Sequence, residues 1–505
     1  MQITFRVDAS ATIGTGHVMR CLTLAEELSC RGAHCTLISR HLPDFLQKLA
    51  ESRQHTVRRI GEDSSPEALG ELSHAHFLGT SQSQDAEQTL AVLKELRADW
   101  LIIDHYAIDS HWESEMHSAA KNILVIDDLA DRDHKCDLLV DQNLYADMNT
   151  RYCERIPSSA KALLGVQYAM LRPEFKEARQ HAVARKGNVR RLFVFFGGMD
   201  SANFTLPVLN ALTALKLKGI EVDVVIGSEH PTRDEILNIC HAQAYTCHVQ
   251  TKEMAKLLLT ADTAIGAGGS TSWERCCLGL PSLAFVVAPN QKALTLHADQ
   301  LGLLTAAQAD IHDAEVLLKE IEDFIHADVA RERMSNACLK AIDARGAQRI
   351  VDQMNLADIQ LRAATPSDSK RLFEWRNHPS IRAISINSDP IQWESHQQWF
   401  NKVLQDANRP LYIAEQAGTE VGVIRFDIEG TQAEVSLYLA PDRNTHGKGL
   451  GTQLLLQGER RLSRERPEIL QLIATVLEAN EASHRLFRRC EYRFDDSLYS
   501  KTIQV

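Results

Sequence analysis

Short apolar runs alternating with amphipathic stretches constrain this chain more than any other feature of its sequence. In the first third, "ITFRV", "CTLIS", "WLIID", "ILVIDD" and "CDLLVD" have strand length and are separated by segments of helical period. That pattern buries both faces of a parallel sheet under helices. A second series, "RLFVFFGG", "VDVVIG", "TAIGAGG" and "SLAFVVA", begins near Arg190. Two facing Rossmann-like α/β halves are therefore expected, ending near residue 345. From "DIQLRAATPSD" the texture changes to longer polar helices, an antiparallel section "PLYIAEQAGTEVGVIRFDIEGTQAEVSLYLAP" and one long helix, which predicts an α+β module. The expected boundaries are 1–180, 181–355 and 356–505, the last set near Leu356 after the amphipathic "VARERMSNACLKAIDARGAQRIVDQM".

A chain of 505 residues is too long for a single core. No stretch approaches the roughly 20 apolar residues of a membrane span, and Met1 leads directly into the strand-like "QITFRV", so neither a membrane segment nor a signal peptide is expected. The net charge of −12 argues against a general nucleic-acid binder. Eleven scattered cysteines without a CxxC pair suit a reduced, cytoplasmic chain. The run "CHAQAYTCH" lacks zinc-finger spacing, so no metal site is expected there.

In "QITFRVD", Ile3, Phe5 and Val7 share one face, as a half-buried strand requires. Val18, Cys21, Leu22, Ala25 and Leu28 then fall at helical spacing, which starts a helix near His17. Gly14 and Gly16 permit a tight turn and close approach of a ligand to the backbone, and the free N–H groups of a helix start suit an anion. The positive end of the helix dipole disfavours imidazolium and leaves a neutral ring able to take a proton from water. A plain turn followed by a polar residue reads the same way. "IIDHYAID" places Asp104, His105 and Tyr106 at the carboxyl end of a strand, where open α/β sheets hold ligand groups; an ordinary polar loop is the alternative. In "FFGGMDSANFT" and "GAGGSTSWE", Gly197, Gly198, Gly268, Gly269, Ser270 and Thr271 are candidates to bring backbone N–H groups onto a pyrophosphate. Glu274 is the candidate acceptor of ribose hydroxyls. Either loop alone is also a Gly-rich turn; together they favour a nucleotide-diphosphate ligand. The absence of a Walker lysine and of GxGxxG argues against ATP hydrolysis and dinucleotide reduction.

The ordered set "RVDASATIGTGHVMRCLTLA", "IIDHYAID", "YAMLRPEF", "FGGMDSANFT", "GGSTSWE" and "APNQ" closely resembles the UDP-sugar hydrolases of pseudaminic acid biosynthesis. The resemblance implies a fold like the two-Rossmann-domain (GT-B-like) glycosyltransferases. It also implies hydrolysis of UDP-2,4-diacetamido-2,4,6-trideoxy-β-L-altropyranose to UDP and free sugar, with inversion and without a required metal. Carried onto this chain, the family's proposed base is His17, and its nucleotide and sugar contacts are Arg172, Ser270, Glu274 and Asn290, with Tyr106 beside them; Gly14, Gly16 and Gly269 are substrate-contact candidates from their glycine loops.

"VSLYLAPDRNTHGKGLGTQLL" is a strand ending before Pro441, a loop with Gly447, Gly449 and Gly451, and an amphipathic helix. Exposed N–H groups after such a loop form an anion cradle, and Lys448 adds positive potential. This resembles the pyrophosphate loop of GNAT-superfamily N-acetyltransferases and implies acetyl-CoA as co-substrate, held by Leu439, Arg443, Asn444, Gly447, Lys448, Gly449, Gly451 and Asn480. Members usually carry Gln or Arg three positions before the first glycine, where Asn444 stands here. "FEWRNHPSIR" resembles the Trp-Arg-Asn segment of acetyltransferases acting on nucleotide-linked amino sugars, which makes Trp375 and Arg376 substrate candidates; a core tryptophan and a surface ion pair are the alternatives. Many members have a tyrosine near the end of the late helix as acid for the departing thiolate. Phe487 stands there, Tyr492 lies five residues on, and the acid is left unassigned. Glu434, on the strand leading into the loop, is a candidate acceptor for the amine proton.

The acetyltransferase resemblance is to the enzyme that acetylates the 4-amino group of UDP-4-amino-4,6-dideoxy-N-acetyl-β-L-altrosamine. Its product is the substrate of the hydrolase. The sequence is therefore read as a bifunctional enzyme whose partners are UDP-amino-sugars and acetyl-CoA. A UDP-sugar glycosyltransferase with an accessory acetyltransferase domain, and a non-catalytic UDP-sugar sensor, are the competing readings.

Overall fold

A computed structural model of the chain describes residues 1–10, 12–61, 72–354, 359–385, 387–416, 418–441, 450–490, 492–495 and 498–503. They divide into two units, 2–26 with 35–354, and 355–505 with Met1 and 27–34. The expected junction at Leu356 lies outside the described residues. No described helix is long and apolar enough to cross a membrane.

The first unit is an α/β structure with two Rossmann-like halves. Strands β1 (Gln2–Val7), β2 (His34–Ser39), β3 (Thr56–Arg59), β4 (Ala98–Asp104), β5 (Ala120–Ile126), β6 (Leu138–Asp141) and β7 (Lys161–Leu164) form a sheet in the order β3-β2-β1-β4-β5-β6-β7. Pairing is parallel for β1 with β4 and onward through β7. The second half is β8 (Arg191–Phe195), β9 (Glu221–Ile226), β10 (Thr246–Val249), β11 (Thr263–Ala267), β12 (Ser282–Phe285) and β13 (Thr305–Ala306), in the order β10-β9-β8-β11-β12-β13, parallel throughout. In each half the chain runs outward from the first strand and returns on its other side. The crossing point therefore falls between β1 and β4, and between β8 and β11, where such sheets bind ligands.

One expectation is corrected. β1 is not half-buried: Thr4 and Arg6 are as inaccessible as Ile3, Phe5 and Val7, because a central parallel strand has helices on both faces. Arg6 is tolerated there because Asp8 lies 2.8 Å from Nη1 and Asp85 2.7 Å from Nη2. Asp85 also accepts from Trp112 Nε1 at 3.1 Å. Charge buried at this depth persists when it is paired and hydrogen-bonded.

A second buried ion cluster makes this unit's stability depend on pH. His134 Nδ1 lies 2.7 Å from Glu113 Oε1 and its Nε2 3.9 Å from Asp127 Oδ2. Burial opposes charge on the ring, but Asp127 and Glu113 outweigh it and raise His134 from 6.5 to about 9. The folded state thus holds a proton that the unfolded chain releases. The stabilisation is full below pH 6.5 and lost as pH rises toward 9. A loss on the order of 2 kcal/mol over that window is expected from urea unfolding, and His134→Gln should flatten it. An unchanged slope in the variant would show that another group titrates.

The second unit is α+β. Strands β14 (Ile359–Ala363), β15 (Leu411–Gln416), β16 (Thr419–Glu429), β17 (Gln432–Leu439), β18 (Gln471–Thr475), β19 (Arg493–Asp495) and β20 (Leu498–Thr502) lie in the order β14-β15-β16-β17-β18-β20-β19. All neighbours are antiparallel except β17 and β18, which pair in parallel over Gln432–Glu434 and Gln471–Ile473. Beyond Glu434 the two strands part, and among the described residues β17 has no ladder partner on that side. Leu454, Leu455 and Leu462 of helix Leu450–Glu465 pack with Ile424, Phe426 and Tyr412 in one core.

Candidate active sites

The crossing point of the first half positions the histidine. Val7 at the end of β1 pairs with Asp104 at the end of β4. After β1 the chain turns through Gly14, whose φ of 80° suits a residue without Cβ and whose N–H reaches Ser10 O at 2.8 Å. Helix Gly16–Cys30 then begins one residue before His17. His17 Nδ1 lies 2.5 Å from Asp104 Oδ1. Burial would raise the Asp104 carboxyl, but the Arg20 guanidinium and His17 outweigh it and hold it well below the usual range. A carboxylate at that distance requires the proton on Nδ1, which leaves the Nε2 lone pair open; among the described residues no hydrogen bond engages Nε2. The sequence reading traced the ring's state to the helix terminus, whereas the contact that fixes the tautomer is Asp104. The arrangement is a base oriented by a carboxylate.

Of the three residues read together at the carboxyl end of β4, Asp104 and Tyr106 converge on His17. Tyr106 meets its ring edge-on with centroids 4.6 Å apart. His105 turns the other way: it is buried with Nε2 3.3 Å from Asp8 and Nδ1 accepting from Ala107 N–H at 3.1 Å, a core histidine.

Two residues at this site escaped sequence reasoning. Arg20 donates from Nε to Asp104 Oδ2 at 2.6 Å and from Nη2 to Oδ1 at 2.7 Å. Its Nη1 reaches Asp128 Oδ2 at 2.9 Å. Asp128 also accepts from Tyr106 Oη at 2.6 Å and from Asn143 Nδ2 at 3.3 Å. Burial and the Asp128 carboxylate push the Tyr106 phenol well above its ordinary range, so it stays a donor. Asn143 Oδ1 in turn accepts from Trp273 Nε1 at 3.0 Å. A hydrogen-bonded chain thus runs from His17 to helix Thr271–Cys277 of the second half. Arg20 is one helical turn beyond His17, and Asp128 ends the run "ILVIDD"; those were the available signals.

In the second half, Gly197 with φ 113° follows β8, and Gly268, Gly269 and Ser270 follow β11. Thr295 Oγ1 donates to Gly268 O at 3.2 Å, and Gln291 Nε2 lies 3.0 Å from where a Cβ on Gly269 would stand. The loop is therefore backed by its neighbours, while Ser270 is exposed. Arg172 donates to Glu274 Oε1 from Nε at 3.3 Å and from Nη2 at 3.0 Å, which brings these two predicted contacts together. Burial raises the Glu274 carboxyl against the pull of Arg172. Asn290 is exposed on the turn Pro289–Gln291.

In the second unit a cavity of about 470 Å³ opens where β17 and β18 part. Arg376, Trp399, Arg425, Tyr438, Asn480 and Phe487 line it. Arg376 and Asn480 thus share one cavity; Trp375 faces a different pocket beside Arg371 and Glu420. Asn480 Oδ1 caps the following helix by accepting from Ser483 N–H at 3.1 Å. Arg443, Asn444, Gly447, Lys448 and Gly449 lie outside the described residues. Leu439 ends β17, and Gly451 is in the first turn of helix Leu450–Glu465. Among the described residues, the side of β17 beyond Glu434 that faces β18 leaves backbone N–H and C=O groups available to an extended amide-bearing ligand. Glu434 Oε1 accepts from Thr475 Oγ1 at 2.9 Å.

The phenol of Tyr492 does not enter the cavity. It donates to Glu459 Oε1 at 3.0 Å, and Lys501 Nζ holds Glu459 Oε2 at 2.6 Å. Tyr492→Phe is accordingly expected to leave acetyl transfer within about twofold while lowering stability by about 1–3 kcal/mol, through a lost bond to a buried carboxylate. A large rate loss at unchanged stability would make Tyr492 the acid that the sequence leaves unassigned.

A family model for the acetyltransferase (GNAT) domain matches residues 358–493, so the C-terminal part of this α/β protein carries a GNAT domain. An uncharacterised protein of Methanocaldococcus jannaschii is 23% identical over 411 residues, covering 79% of this chain and 78% of its own. The UDP-2,4-diacetamido-2,4,6-trideoxy-β-L-altropyranose hydrolase of Campylobacter jejuni is 25% identical over 296 residues, covering 58% of this chain and 94% of its own. Acetyltransferase PseH of the same species is 29% identical over 128 residues, covering 25% of this chain and 78% of its own.

Proposed function

We propose that the chain performs two consecutive reactions on one UDP-linked amino sugar, N-acetylation in the C-terminal domain and glycosyl–UDP hydrolysis in the N-terminal unit. The observation that carries the hydrolase reading is the His17–Asp104 pair at the β1–β4 crossing point, with Nδ1 2.5 Å from the carboxylate and Nε2 open. The resemblance to the Campylobacter jejuni hydrolase along nearly the whole of that enzyme supports the substrate class.

In the hydrolase step, His17 Nε2 takes a proton from water as the water oxygen attacks the anomeric carbon. The bond from that carbon to the β-phosphate oxygen breaks, and UDP leaves with the electron pair. Asp104 stabilises the imidazolium that forms. Attack opposite the leaving group inverts the anomeric centre. In the acetyl step the neutral 4-amine attacks the thioester carbonyl of acetyl-CoA, with β17 backbone near Leu439 facing the developing oxyanion. The C–S bond then breaks, and the departing coenzyme A thiolate takes up, through solvent, the proton that the amine loses. Holding amine and thioester together supplies much of the rate gain. Arg376 in the lining offers a guanidinium to a diphosphate-linked acceptor, while the neighbouring Arg425 is paired with Asp427 at 2.6 Å. The reading supports small-molecule partners and acetyl-CoA as the co-substrate, with no step that uses a metal.

A time course with UDP-4-amino-4,6-dideoxy-N-acetyl-β-L-altrosamine and acetyl-CoA tests both halves. Coenzyme A and the diacetylated UDP-sugar should appear first, then UDP and free reducing sugar. UDP release that requires an added acceptor would make the first unit a glycosyltransferase. Binding without any turnover would make it a sensor.

A further inference from the structure

The buried arginines among the described residues are Arg6, Arg31, Arg40, Arg132, Arg275 and Arg331. All but Arg275 have a carboxylate in direct ion-pair contact: Arg6 meets Asp8 and Asp85, Arg31 meets Glu27, Arg40 meets Asp85, Arg132 meets Asp127 and Arg331 meets Asp328. Arg275 is 1% exposed. Its Nη2 donates to Ala267 O at 2.6 Å and Ser272 Oγ at 2.9 Å, while Nε and Nη1 have no hydrogen-bond partner. Burial lowers the guanidinium to about 10, so it remains charged at neutral pH. The Glu274 carboxylate acts on it only at longer range and is itself held by Arg172, so no carboxylate of the first half or the second forms an ion pair with this guanidinium among the described residues. A buried charge without a contacting counter-ion is among the most costly features a fold can keep.

Its position accounts for its retention. The second half crosses over between β8 and β11. β8 ends at Phe195 and leads to Gly197–Gly198; β11 ends at Ala267 and leads to Gly268–Ser270. A Cβ on Gly266 would stand 2.2 Å from Phe195 O and 2.8 Å from Arg275 Nη1. The missing side chain at Gly266 is what lets the guanidinium lie between the two strand ends, under the roots of both glycine loops. A cation there projects positive potential into the crevice through low-dielectric protein.

We propose that Arg275 is a positioning residue for a nucleoside diphosphate, a cation in the crevice floor whose counter-charge is the ligand's diphosphate and not a carboxylate of the protein. The inference rests on the UDP-sugar reading for the identity of the nucleotide. It acts without contact, so it distinguishes the phosphates from the nucleoside. A residue that merely ties Ala267 to Ser272 would affect both equally.

The test is calorimetric binding of UDP and of uridine to the full chain and to Arg275→Met, Arg275→Gln and Arg275→Lys. Arg275→Gln keeps a donor for Ala267 O, should the methionine variant fail to fold. Loss of the charge should weaken UDP about tenfold or more at low salt and leave uridine within about twofold. Arg275→Lys should keep UDP within about threefold. Equal weakening of UDP and uridine, or UDP binding in the neutral variants equal to that of the parent, overturns the inference. A parent chain that binds neither compound overturns both the inference and the functional reading. A parent that binds UDP, with the expected variant pattern, but hydrolyses no UDP-sugar overturns the hydrolase reading alone.

Discussion

His17→Ala should lower the rate of UDP release from the diacetamido UDP-sugar by about 10²–10⁴-fold, the usual contribution of a positioned general base. UDP affinity should remain within about twofold. The separation follows from the geometry: His17 is held by Asp104 and touches Tyr106, while the loops suited to a diphosphate are in the other half of the unit. Acetyl transfer by the same variant should be unaffected, and the retained UDP affinity controls for folding of the first unit. Retention of more than a tenth of the parental rate would remove His17 from the base role.

The second large effect is expected from Asp104→Asn. An amide that presents its N–H to Nδ1 favours the tautomer with the proton on Nε2, which can no longer accept one from water. A loss of about 10³–10⁴-fold in kcat is expected for such a mis-set tautomer. The substitution also removes the carboxylate charge that faces Arg20 and replaces the acceptor of its Nη2, at 2.7 Å, with a donor, while the amide oxygen still accepts from Nε. Breaking a buried pair on one side costs about 3–5 kcal/mol, so the melting temperature should fall as well. The two readouts separate once the rate is normalised to folded protein: lost stability lowers the amount of active enzyme, while a mis-set base lowers kcat per folded molecule. A variant with lowered stability but parental kcat per folded molecule would reduce Asp104 to a structural role.

The parts of the fold written locally were legible. Period-two and period-3.6 apolar runs identified β1, β4, β5, β8, β9, β11 and the helix that begins at Gly16, and the change of texture after the second half predicted an antiparallel module. Short edge strands such as "TVRR" at β3, "KALL" at β7 and "TCHV" at β10 were not legible, since a few residues of mixed polarity carry no period. The depth of β1 was also missed, because Arg6 reads as solvent-facing until Asp8 and Asp85 are brought to it.

At the site, the turn at Gly14 and the strand end at Asp104 could each be found, but not their meeting, which depends on β1 and β4 lying side by side. The same applies to Asp128, which reads as the end of a strand, and to Arg275, which in "SWERCC" reads as the polar face of a helix. Its meaning appears when every other buried arginine among the described residues is found in an ion pair. The substrate's identity was not written in the geometry at all; it came from the likeness of ordered motifs.

The central claim is that His17 directs water to the anomeric carbon. Turnover of the diacetamido UDP-sugar in oxygen-18 water, followed by mass spectrometry of both products, tests it most directly. The account predicts one heavy oxygen in the free sugar under conditions that freeze anomeric exchange, and none in UDP. Label in UDP with an unlabelled sugar would mean attack at phosphorus and would contradict it.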